Sequence, residues 1–196
     1  MKRWLTVIVA GMPGLVLAGA GLAHPARLRP ETATEWWQFH VVLLPLFPLL
    51  AVALWVLLRG VNGPLAWLAL AGAYGYATFY TGLDALAGIA AGLVVETTGR
   101  TSQASIDLGR LGVELGGIGE WSFLAAAVLT GFVLVRRDGF PAVPGALVLV
   151  GAAVAFRGAH IYWPAGGLAM IGVAIGCALL AAASPPRHAS VMQEGR

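Results

Sequence analysis

Apolar residues run almost without interruption over about 4–23, 36–58, 65–95, 115–135, 142–161 and 165–183, and a short polar or Gly/Pro-rich segment follows each run. Runs of roughly 20 residues match a ~30 Å hydrocarbon core. The runs are continuous rather than alternating, so they predict helices and not the strands of a barrel. The expected fold is all-α: a bundle of six transmembrane helices forming one domain over 1–183, with a polar, disordered tail over 184–196.

Details along the pattern sharpen this expectation. The first run opens Met1-Lys2-Arg3 and ends in the small residues Gly21-Leu22-Ala23, so it reads either as a retained first helix or as a cleaved signal segment; its length favours the helix. Pro45 and Pro48 remove two backbone donors from the second run and predict a bend there. The third run spans ~46 Å as a helix, too long for a perpendicular crossing, so it must tilt, protrude or break, and Gly82 with Asp84 marks the natural place for a break. Residues 96–110 read as the one long polar loop. Trp36, Trp37, Tyr162 and Trp163 sit where interfacial aromatic residues are expected, and Glu96 is expected to face water.

Composition agrees with the pattern. Of 196 residues, 59% are hydrophobic and 11% charged, against about 25% charged in soluble domains. The net charge of +3 does not point to nucleic acid, because the basic residues are single or paired at the ends of apolar runs and form no stripe. The single cysteine, Cys177, rules out an internal disulfide or a CxxC motif. No Walker A, GxSxG or dinucleotide fingerprint is present. The expected surroundings are the lipid bilayer of a bacterial-type inner (plasma) membrane, with a homo-oligomer or a larger membrane complex as possible assemblies.

Six helices place both termini on one side. That side then carries Lys2, Arg3, Arg59, Arg136, Arg137, Arg187 and Arg196, against Arg27, Arg29, Arg100, Arg110 and Arg157 on the other. The bias orients the chain with both termini in the cytoplasm.

Depth singles out a set of polar residues. His24 falls at the outer end of the first helix, His40 about one turn into the second, and Asp84 at the outer end of the third. Glu120 falls near the outer end of the fourth, and Arg157 and His160 one turn apart at the end of the fifth. Ionisable groups at membrane depth usually face a bundle interior or a wet cavity. The expected pocket therefore contains His40, Asp84, Glu120, Arg157 and His160, with Glu35 and Trp37 at its mouth.

Several roles fit this layer. Arg157 paired with Glu120 or Asp84 would knit the helices together, as in a structural or accessory subunit. His24, His40, Asp84 and His160 could ligate zinc or copper, although their spacing matches no local metal motif. A b-type haem between His40 and His160 is an alternative. Metal-activated water with Asp84 or Glu120 as base would make a hydrolase, so whether the chain is an enzyme stays open at this level. A small-solute transporter is a further class, but no polar ladder crosses the membrane.

Overall fold

The computed structural model of the chain describes residues 2–184, and no strand occurs among them. The expected tail lies, from residue 185 on, outside the described residues. The elements are α1 (Arg3–Ala23), α2 (Ala33–Leu43), α3 (Pro48–Leu58), α4 (Pro64–Leu83), a π-helical segment (Asp84–Ala90), α5 (Ala91–Thr98), α6 (Gln103–Asp138), α7 (Val143–Phe156) and α8 (Ala165–Ala183). Among the described residues, five stretches are long and apolar enough to cross a membrane: Arg3–Ala23, Pro30–Leu58, Pro64–Thr98, Gln103–Asp138 and Ala165–Ala183. The sixth expected crossing is a shorter apolar helix, Phe140–Phe156. Large apolar side chains such as Trp67, Val113 and Leu147 point outward, as suits a surface facing lipid.

Close backbone approach holds the bundle. A Cβ at Gly14 of α1 would lie 2.5 Å from the Met170 carbonyl oxygen of α8. One at Gly176 of α8 would lie 2.6 Å from the Leu149 nitrogen of α7. Such small-residue seams are how membrane helices gain packing where burial of apolar surface contributes little. The centre is aromatic: Phe47, Tyr76, Tyr80, Phe123 and Phe156 are all fully buried, with ring centroids 4.7 Å apart for Phe47–Tyr80 and 4.9 Å for Tyr76–Phe123. At one end of the bundle the Arg3 guanidinium donates to the Ala182 carbonyl, and Arg137 donates to Ser184 Oγ at 2.6 Å. The start of α1 and the ends of α6 and α8 therefore lie together.

The structure corrects four expected boundaries. The bend expected in the second helix is present and divides it into two helices joined by a turn at 44–47, where neither Pro45 nor Pro48 can donate to a continuing ladder. The third does not break at Gly82 and Asp84; it widens into the π segment and continues to Thr98. The expected loop over 96–110 shrinks to about four residues, since Ser102 caps α6 by accepting from the Ser105 N–H at 3.3 Å. α6 is 36 residues long, about 54 Å, and its exposed first turns carry Asp107 and Arg110, which the sequence pattern assigns to the loop. The fifth helix stops at Phe156, so Arg157 and His160 do not share a helix face.

Candidate metal centre

Three chain segments meet at the end of the bundle opposite the termini. His24 is the C-cap residue of α1, and His40 lies in the last turn of α2. His160 sits in the turn between α7 and α8 with φ +47°, a left-handed conformation that costs a non-glycine residue roughly 1–2 kcal/mol. One side-chain nitrogen from each of the three lies within 4.8 Å of the others. The ring centroids are 5.0 Å apart for His24–His40, 5.2 Å for His24–His160 and 6.3 Å for His40–His160.

Each histidine is held from behind. The Nδ1 atoms of His24 and His40 lie 2.8 Å from the Pro25 carbonyl and 2.7 Å from the Trp36 carbonyl. A carbonyl only accepts, so both neutral rings carry their proton on Nδ1 and keep the Nε2 lone pair free. His160 Nδ1 lies 2.7 Å from the Tyr80 hydroxyl. The Nε2 atoms of His24 and His160 are buried with no hydrogen-bond partner. Burial holds the His160 imidazole well below the usual histidine range, and the neighbouring His24 and His40 rings add to that. Burial also lowers His24, partly offset by the Pro25 carbonyl. Both rings therefore favour the neutral form that a metal requires.

The scaffold explains the convergence. In the π segment the Ala91 N–H reaches back five residues to the Leu86 carbonyl, and such widening is common at functional sites. The neighbouring Ala87 carbonyl accepts the Trp36 indole N–H at 3.1 Å. One turn further along α2, the His40 side chain packs against Gly88, where a Cβ would come within 2.2 Å of Cδ2. The His160 turn is seated on backbone: a Cβ at Gly21 would meet the Ile161 carbonyl oxygen at 2.2 Å, and one at Gly166 the His160 carbonyl oxygen at 2.3 Å. The Trp163 indole donates to the Ala18 carbonyl at 2.9 Å, tying this turn to α1. Trp36, Phe39, Phe47 and Tyr162 close around the imidazoles with centroid separations of 4.7–5.3 Å.

The remaining expected pocket residues separate into other roles. Glu120 accepts the Gly158 N–H at 2.9 Å, and the Arg157 guanidinium lies 3.5 Å from the centroid of the Trp121 ring. Together they fasten the His160 turn to α6, and no Arg157 carboxylate pair forms within 4 Å among the described residues. Asp84 is fully buried with neither carboxyl oxygen hydrogen-bonded, and it lies outside the 4.8 Å set. Glu35 is exposed. Trp37 packs against α5, where its indole donates to Glu96 at 2.8 Å; Glu96 also accepts from Thr34 rather than simply facing water.

The three imidazoles suit a small ion. Around a metal with M–N bonds of about 2.0–2.1 Å, tetrahedral nitrogens are about 3.4 Å apart, so the rings would have to draw in from their present spacing of up to 4.8 Å. A haem does not fit between His40 and His160, because the His24 ring lies 5.0 and 5.2 Å from them and fills the space a macrocycle needs. Sequence reasoning missed Trp36 as a wall and donor and Tyr80 as the partner of His160; both residues read as ordinary belt or core aromatics. No protein-family model, no curated protein and no solved structure matches this chain.

Proposed function

We propose that this chain is an integral membrane protein that holds one transition-metal ion, copper or zinc by donor type, between His24, His40 and His160. The observation that carries the reading is the convergence of three imidazole nitrogens within 4.8 Å from three separate segments. Support comes from the partners behind each ring, since metal-bound histidines almost always donate their second nitrogen to a carbonyl or a similar group. Buried aromatic walls and the left-handed φ at His160 add to it, because strain of that kind persists where the surroundings enforce it.

The finer topology belongs to the same proposal. The chain makes six crossings, the sixth being Phe140–Phe156, and both termini face the cytoplasm of a bacterial-type inner membrane. The histidine centre then lies at the extracytoplasmic end of the bundle, on the side where metal ions arrive from outside the cell.

The test is elemental analysis of the detergent-purified chain after metal loading and desalting, beside His40→Ala and His160→Asn. One ion per chain, lost in both variants, supports the reading. A wild-type chain that retains no copper or zinc overturns it and leaves the cluster as a packing device joining α1, α2 and the turn before α8.

A further inference from the structure

We infer that the ion taken by this centre is monovalent copper rather than a divalent metal; this rests on the metal-binding reading above. The donor set is three neutral imidazoles, and among the described residues no anionic ligand accompanies them. Asp84, the carboxylate that would complete a zinc site, lies outside the 4.8 Å group. Glu120 is engaged by the Gly158 N–H, Glu96 by Trp37 and Thr34, and Glu35 is exposed. The groups behind the ligands are neutral as well: the Pro25 carbonyl, the Trp36 carbonyl and the Tyr80 hydroxyl.

Charge decides between the candidates. Ion transfer into a low-dielectric interior is penalised in proportion to the square of the charge, about fourfold more for a divalent than for a monovalent ion. A zinc ion here would bring two uncompensated charges among Trp36, Phe39, Phe47 and Tyr162. Coordination number points the same way. Zinc sites fill four positions, using a water where protein ligands fall short. Here the free Nε2 atoms of His24 and His160 are already out of contact with solvent. A closed-shell monovalent copper ion is satisfied by three nitrogens and needs neither a fourth ligand nor a counter-ion.

The experiment is an anaerobic competition on the full-length protein in detergent. Cu(I) is titrated against a chromogenic Cu(I) chelator, Zn(II) against a zinc indicator, and both on wild type, His40→Ala and Asp84→Asn. The expected result is one Cu(I) per chain, bound at least about tenfold more tightly than Zn(II). His40→Ala loses about tenfold or more, and Asp84→Asn stays within about threefold of wild type. Zn(II) binding as tight as Cu(I) overturns the inference while leaving a metal centre in place. A tenfold loss in Asp84→Asn overturns it too, by showing a carboxylate in the site. Binding of neither ion overturns this inference together with the reading beneath it.

Discussion

The imidazole of His40 rests on the α-carbon of Gly88 so closely that a single added methyl would stand 2.2 Å from its Cδ2 atom. Gly88→Ala is therefore a way to move a ligand without changing it. Overpacking of this kind costs about 1–3 kcal/mol, absorbed here by swinging the ring. The expected outcome is a helical, purifiable protein whose metal affinity falls about tenfold or more, read by competition titration. Undiminished affinity would show that His40 is not a ligand.

Tyr80 holds His160 from the side away from the cluster. Tyr80→Phe removes only the hydroxyl and keeps the ring that packs 4.7 Å from Phe47. Loss of such a partner typically reduces metal affinity 10–100-fold, and the same range is expected here with the far-ultraviolet circular dichroism unchanged. An affinity equal to wild type would mean that the Tyr80 hydroxyl does not orient the ligand.

His160→Asn separates the backbone role of this position from its ligand role. Asparagine tolerates the left-handed conformation well, so the turn seated on Gly21 and Gly166 should survive. Thermal denaturation in detergent is expected to shift by only a few degrees, while metal binding is abolished. Retained stoichiometric binding would place the third ligand elsewhere.

pH dependence follows from burial of His24 and His160, whose folded-state values are lowered from the usual histidine value. Below about pH 6.5 the unfolded chain takes up protons that the folded chain refuses. The stabilisation is thus complete above that pH and is lost progressively as pH falls toward the folded-state values. Melting of the metal-free protein should show stability dropping between pH 7 and pH 5. His24→Phe, which keeps the edge-to-face packing but cannot titrate, should drop less. Equal slopes would contradict a neutral, buried His24.

The sequence made the helical bundle legible because continuous apolar runs leave few alternatives, and His24 and His40 were legible by depth alone. His160 was placed in the right layer for the wrong reason, as part of a helix that in fact stops at Phe156. The turn that presents it depends on Gly21 and Gly166 approaching from distant positions, and no local pattern announces such contacts. Asp84 was grouped with the histidines by depth, and depth does not fix the direction a side chain takes around the helix; the widening that starts at that residue cannot be read from Asp84-Ala-Leu-Ala-Gly-Ile-Ala90. Trp36 and Tyr80 were hidden because an aromatic residue at a helix end or on a helix face serves belt, core and ligand support equally well.

The three imidazoles enter the chain in an uneven order. His24 and His40 are 16 positions apart, and His160 follows 120 positions after His40. The turn bearing His160 is positioned by Gly21 and Ala18 of the first helix and by Gly166 at the start of the last. A nascent chain thus carries two of the three donors through most of its synthesis, and the third is aligned only once the final helix has docked on the first. The three imidazole nitrogens therefore come within 4.8 Å of one another only in a chain whose first and last helices are packed together.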